Sequence, residues 1–186
     1  MIVGIDEVGR GCWAGPLVAG AVILDDPISG LKDSKKLSAK QRLILSKEIE
    51  LLADSVGLGW VWPEEIDKYG ITWSVKTAMG RALRQITSAY DEVIIDGNIN
   101  YLPDVNVAKC VIKADDTVPS VSAASIMAKV ARDTYMATEA HAMHPLYEFG
   151  KHVGYGTKRH LELLQLHGVT SLHRKSYKPI QRLLEA

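Results

Sequence analysis

The chain predicts an α/β fold: a mixed sheet of five strands flanked by helices, with a helical C-terminal extension. Three observations predict it. Five short apolar runs, each closed by glycine, proline or acid, read as strands. Stretches of helical periodicity stand between and after the later runs. The early strands are joined by short links and the later ones by helices, a pattern of mixed sheets covered on both faces.

Taken in order, Ile2, Val3 and Ile5 are β-formers, and residues 2–8 read as a strand that meets its first acids as it ends. Pro16 to Leu24 is almost continuously apolar, so it reads as a strand covered on both sides, and the short Gly-rich link pairs it antiparallel with the first. Asp25-Asp26-Pro27 closes it. After the polar loop Lys32 to Ser38, Ser38 is the N-cap of a helix over about residues 39–53, with Leu43, Ile44, Ile49, Leu51 and Leu52 feeding its buried side. Val56 to Trp62 is a third strand ended by Pro63. Thr72 then caps a helix over about residues 73–89 with Val75, Met79, Leu83 and Ile86 inward. Val93 to Asp96 and Val105 to Ile112 are the last strands. A helix with Pro119 in its first turn runs to about Glu139. Beyond it come Gly154-Tyr155-Gly156, a helix over about residues 158–167 and a last one from Pro179. Residues 1–140 are expected as the main α/β domain and 141–186 as a helical extension of the same compact unit.

The 186 residues suit one domain, and 47% apolar with 24% charged residues excludes a disordered chain. No apolar run approaches the ~20 residues that span a bilayer, and the first residues lack the pattern of a signal peptide. Two cysteines imply no disulfide framework. A cytoplasmic, monomeric protein is expected. The 22 basic residues balance the 22 acidic ones, so no global field steers the chain onto nucleic acid. From Lys151 to Lys178, however, Lys151, Lys158, Arg159, Arg174, Lys175 and Lys178 face a single acid, Glu162, and four of the six histidines lie there too. That is either a local basic surface or a solvated helical face.

Acids stand at three strand edges: Asp6-Glu7, Asp96 and Asp115-Asp116. Sites are built at such edges, because side chains leaving the ladder can converge. Carboxylates brought together need a cation, and oxygen ligands without His or Cys spacing suit Mg²⁺ or Mn²⁺. Such ions point to phosphoryl chemistry. Each acid taken singly reads equally as a turn former or helix cap. Asp6 and Glu7 are adjacent, so both serve one site only if the strand breaks up near Gly9 and Gly11.

Several stretches together resemble bacterial ribonuclease HII. They are Gly4-Ile5-Asp6-Glu7-Val8-Gly9-Arg10-Gly11, Ala14-Gly15-Pro16-Leu17, Lys32-Asp33-Ser34-Lys35-Lys36-Leu37 and Ile94-Ile95-Asp96-Gly97-Asn98. Lys113-Ala114-Asp115, the run from Ser122 to Asp133, Gly154-Tyr155-Gly156-Thr157 and His173-Arg174-Lys175-Ser176-Tyr177 continue the likeness over nearly the whole chain. The resemblance implies an RNase H-like fold and endonucleolytic cleavage of RNA in RNA–DNA hybrids and at single ribonucleotides in duplex DNA. It implies Mg²⁺ or Mn²⁺ held by Asp6, Glu7, Asp96 and Asp115, and products with 3′-hydroxyl and 5′-phosphate ends. By the same resemblance Gly9, Arg10 and Gly11 read the ribonucleotide, where the 2′-hydroxyl alone separates RNA from DNA. Tyr155 stacks on the sugar at the junction, and Ser34, Lys35, Lys36, Lys113, Arg174 and Lys175 contact phosphates. Cys12-Trp13 and Gly70-Ile71 depart from the family pattern. Two rival readings are a non-catalytic hybrid-binding module and a serine hydrolase built on Ser125 and Lys129.

Overall fold

The computed structural model describes residues 1–185. Its five strands are β1 (Ile2–Val8), β2 (Leu17–Ile23), β3 (Ser55–Val61), β4 (Glu92–Asp96) and β5 (Ala108–Val111). They form one sheet in the order β3-β2-β1-β4-β5. The tight link after β1 turns β2 back antiparallel, placing Asp6 opposite Gly20. The long helical excursion before β4 returns it parallel to β1, with Ile5 opposite Ile95. That register sets Asp6 and Asp96 side by side at the end of the two central strands.

The helices are α1 (Ala39–Leu52), α2 (Pro63–Tyr69), α3 (Ile71–Leu83), α4 (Ala114–Thr117), α5 (Pro119–Tyr135), α6 (His141–Met143), α7 (Phe149–His152), α8 (Lys158–His167) and α9 (Lys178–Leu184). On one face of the sheet, α3 packs Val75, Ala78, Met79 and Ala82 against Val3, Ile5, Leu17, Ala19 and Ile95. On the other, α1 and α5 close over Val22 with Ile49, Ala123, Ala124 and Ile126. The backbone of α5 comes very close to the central strands. A side chain at Gly4 would strike the main chain of Ser120 and Val121, and one at Gly20 that of Ala124. A third cluster joins Phe149, Leu163, Leu164 and Ile180 to Ala14, Met136 and Ala140 from the preceding part of the chain. β3 is an edge strand, but side chains from α3 and the turn after it cover its outer groups: Arg81 Nη1 donates to Trp60 O (2.5 Å) and Gln85 Nε2 to Leu58 O (2.7 Å).

Most strands fall where the apolar runs place them, and the helices differ more. Ser38 does cap α1, exchanging hydrogen bonds with Gln41 in a capping box. The face it buries is Leu45, Ser46 and Ile49. Leu43, Ile44, Leu51 and Leu52 are 49–82% exposed, against expectation. Apolar residues surround this helix, so position relative to the sheet chooses the stripe. Pro63 opens α2 instead of merely ending β3, with Glu65 accepting from Trp62 N–H. Gly70, at φ +79°, separates α2 from α3, so the next helix starts at Ile71 rather than after a Thr72 cap. It ends at Leu83, and Ile86 packs from the turn beyond. β5 is shorter than expected because Val105 to Ala108 is a turn, with Ala108 N–H bonded to Val105 O (2.9 Å). The helix expected to reach Glu139 stays α-helical to Tyr135, then widens into a π turn over Met136–Ala140, which delivers both of those end residues to the third cluster.

Candidate active site

Asp6 and Glu7 occupy the end of β1, and Asp96 the end of β4 beside them. Asp115 arrives from α4, and Asp96 secures that arrival: its Oδ1 accepts the N–H of Ala114 (2.8 Å). Lys113, just before, takes a left-handed conformation (φ +58°), which turns the chain sharply from β5 into α4. Of the Asp115-Asp116 pair, Asp115 is the buried member, while Asp116 lies outside in an ion pair with Lys36 Nζ (2.5 Å).

The strand does not break up at the adjacent acids. β1 pairs regularly through Val8 opposite Val18. Asp6 instead turns along the strand and accepts the N–H of Glu7 (2.8 Å), which brings neighbouring carboxylates into one electrostatic environment. Burial pushes the Asp6 carboxyl up to about 7, with the charges of Glu7 and Asp96 adding to it and the Ser125 hydroxyl opposing. Burial and Asp96 likewise raise Glu7, against the pull of Arg10 and Lys35. Burial, then Asp96, raises Asp115.

These acids are neighbours that repel. Among the described residues no three His, Cys, Asp or Glu side chains already converge on one point. Glu7 leans toward Arg10 (3.9 Å) and Asp115 toward Lys35 (3.8 Å). Their donor chemistry fits a hard divalent cation: the donors are carboxylate oxygens whose ionised forms oppose one another and would be relieved by positive charge.

Around the acids, Arg10, Lys35, Lys36 and Lys113 are exposed cations. Gly9 takes φ +87°, and a side chain there would strike Arg132. Gly11 faces open space, with nothing within 4 Å of where a side chain would begin, so a ligand backbone can come close. The ring of Tyr155 is 37% exposed, with Lys129 Nζ 5.2 Å from its centroid. Burial pushes its hydroxyl up to about 12.

Two expected phosphate contacts are corrected. Arg174 is fully buried, and its guanidinium donates to the carbonyls of Gly15 and Arg10 and to the Tyr177 hydroxyl. Ser34 is buried with its hydroxyl 2.9 Å from that of Ser125. Lys175 is exposed, its main-chain N–H held by Asp67 (2.9 Å). Of the C-terminal basic stretch, Lys151, Lys158, Arg159, Lys175 and Lys178 are exposed, whereas His152, His160 and His173 are buried and burial lowers all three. Sequence reading gave no role to Arg132, which is buried against the carbonyls of Ala14, Pro16 and Val153. An arginine on the buried side of an amphipathic helix is the signal that could have marked it. Lys129, the base of the serine-hydrolase rival, is paired with Asp133 (2.8 Å), not with Ser125.

The family model described as ribonuclease HII matches residues 3–180. A ribonuclease HII of Idiomarina loihiensis is 47% identical over 99% of this chain and 98% of its own length. The chain belongs to the ribonuclease HII family. Another relative, from Polynucleobacter asymbioticus, is 44% identical over 99% of this chain and 96% of its own. The ribonuclease H2 of Pyrococcus horikoshii OT3 superposes with a TM-score of 0.83 at 26% identity, covering 99% of this chain and 97% of that one. Bst-RNase HIII, solved in complex with Mn²⁺, superposes at 0.77 with 21% identity, over 99% of this chain and 69% of that one, a likeness of fold. The fold is therefore RNase H-like, and the protein is a ribonuclease H acting on RNA–DNA hybrids, which removes the reading as a non-catalytic module. Among the described residues no helix is long and apolar enough to cross a membrane.

Proposed function

We propose that this enzyme hydrolyses the phosphodiester at ribonucleotides, both in RNA–DNA hybrids and where a single ribonucleotide is embedded in duplex DNA, leaving 3′-hydroxyl and 5′-phosphate ends. The observation that carries the proposal is the placement of Asp6, Glu7, Asp96 and Asp115, from three separate segments, near one another at one sheet edge, where burial first, and neighbouring charge after it, raise the carboxyls of Asp6, Glu7 and Asp115. These four residues would hold two divalent ions, Mg²⁺ or Mn²⁺. When bound, such ions lower the pKa of water and neutralise charge on the leaving oxygen.

The chain's own residues supply the rest. Arg10, Lys35, Lys36, Lys113 and Lys175 are exposed and would hold phosphates, fixing register without reading sequence. Gly11 leaves room for the main chain of the Gly9–Gly11 loop to approach a 2′-hydroxyl. Tyr155 offers a half-exposed ring to the sugar that follows. The site is open and not an enclosed cavity: the grooves of about 660 and 670 Å³ lie elsewhere, beside Trp60 and Trp62 and beside Trp73 and Tyr90. An open edge suits a duplex. We read the protein as a cytoplasmic monomer serving ribonucleotide removal from DNA, with residues 141–186 part of one unit with the catalytic domain.

The test is cleavage of three duplexes: a long hybrid, a DNA duplex with one ribonucleotide, and all-DNA. Cutting of the first two, abolished by chelator and restored by Mg²⁺ or Mn²⁺, is expected. Equal cutting of all three would contradict the ribose-reading part. Cutting that survives the chelator would contradict the metal site.

A further inference from the structure

The Gly9–Gly11 loop and Tyr155 lie far apart in sequence, yet the fold fuses them. Trp13 N–H and Ala14 N–H both bond to Gly154 O (2.9 and 3.2 Å), and Gly15 N–H bonds to Leu172 O (2.8 Å). The indole of Trp13 fills the space that a side chain at Gly156 would occupy.

Two arginines run through this junction, both fully buried. Arg132, from α5, donates Nε to Pro16 O (2.8 Å), Nη2 to Ala14 O (3.1 Å) and Nη1 to Val153 O (2.9 Å). It also lies 5.7 Å from the Tyr155 ring centroid. Arg174 donates Nε and Nη2 to Gly15 O (3.1 and 2.9 Å), and Nη1 to Arg10 O (3.0 Å) and the Tyr177 hydroxyl (2.9 Å). Tyr177 in turn donates its hydroxyl to Arg10 O (2.5 Å). The carbonyl at the centre of the loop thus receives two donors from one small group of side chains.

Buried cations satisfied mainly by carbonyls are a poor way to gain stability, since apolar side chains of similar volume commonly serve as well or better. What guanidinium groups supply here is geometry: several fixed donors in one plane that hold carbonyls of separate loops at set distances. We infer that Arg132, Arg174 and Tyr177 are positioning residues that lock the Gly9–Gly11 loop and Tyr155 into a single rigid reader of the ribose–deoxyribose junction, without themselves touching substrate. The inference rests on the reading of the loop and Tyr155 in the proposed function.

The test is the pattern of cuts within one duplex whose cleaved strand is RNA continuing into DNA. Junction and interior cuts are counted in the same lane, so the ratio does not depend on how much enzyme is folded. Wild type should favour the junction. Tyr177→Phe removes only the hydroxyl and should lower the junction-to-interior ratio roughly threefold; Arg174→Lys should lower it roughly tenfold, as small misplacements of reading groups do. Ile49→Ala, which hollows the α1–α5 side of the core, is the control: it should lower the melting temperature and leave the pattern unchanged. An unchanged pattern in Tyr177→Phe and in any Arg174→Lys that folds overturns the inference alone, and so does a control that loses the junction preference. A wild type without junction preference overturns the ribose-reading proposal, and this inference with it.

Discussion

Two clusters of buried titratable side chains respond to desolvation in opposite ways. At the sheet edge, burial raises Asp6, Glu7 and Asp115 toward protonation. Among the C-terminal helices it lowers His160 to about 4 and His173 to about 3. Both shifts favour the neutral form, because burial disfavours whichever form is charged; the clusters differ in the partners each neutral form has. The histidines are satisfied when neutral. Thr170 N–H donates to His173 Nδ1 (3.0 Å), so His173 carries its proton on Nε2 and passes it toward His160 Nε2 (3.0 Å); His160 Nδ1–H then donates to Tyr155 O (2.9 Å). His152 is likewise complete, accepting from Gly154 N–H and donating to Tyr147 O. The carboxylates keep only partial partners, the Glu7 N–H, Arg10 and Lys35, and still raise one another. Under the proposed function that repulsion is what a bound cation would relieve, whereas the histidines act as scaffold.

The largest effect that sharpens this comparison comes from Asp6→Asn. It should reduce hybrid cleavage by roughly a thousandfold or more, about 4 kcal/mol of transition-state stabilisation, measured as kcat at saturating Mg²⁺. The same change removes a buried charge, so at pH 8 without metal its melting temperature should not fall below that of wild type. Near-normal turnover would break the assignment.

Next is the pH dependence of the histidine scaffold. Its folded pKa values lie below the unfolded value of 6.5, so their contribution is complete above pH 6.5 and is lost as pH falls toward about 4. For His160 alone the full loss is on the order of 3 kcal/mol. Raised carboxyls such as Asp6 gain stability as pH falls through the same window, so the reading is the difference between wild type and His160→Gln in urea unfolding, which should shrink from pH 7.5 down to 5. A difference that is flat across that window would mean that the His160 ring is not buried neutral.

The smallest effect belongs to the exposed cations. Lys35→Ala should raise KM for a hybrid severalfold and reduce the slope of log affinity against log salt by about one. A loss confined to kcat, with the salt slope unchanged, would place Lys35 in the chemistry and not on a phosphate.

Local signals revealed much of this in the sequence. The runs at Ile2, Pro16, Val56 and Val93 are apolar enough to force strands, and three of them lead to or beside the acids. Ser38 was readable as a cap because its chemistry is local. The choice of buried face on α1 was not, since Leu43, Ile44, Leu45 and Leu51 are interchangeable until the sheet is in place. Pro63 carried two meanings, strand end and helix start, and only the second was hidden. Arg174 was misplaced, and the buried histidines were not foreseen, for one reason: the partners that let a polar side chain go inside, such as Gly15 O and Thr170 N–H, are fixed by tertiary structure. The position of Asp6 and Asp96 at the ends of neighbouring strands was legible from the apolar runs that precede them, but not the way Asp6 turns along an unbroken strand.

Calorimetric titration of Mn²⁺ into the metal-free protein at pH 8 tests the central claim most directly, because it asks about the carboxylates without asking about cleavage. Saturable binding in wild type that is lost in both Asp6→Asn and Asp115→Asn is the predicted result. Binding that persists undiminished in either variant would show that these acids do not hold the ion together.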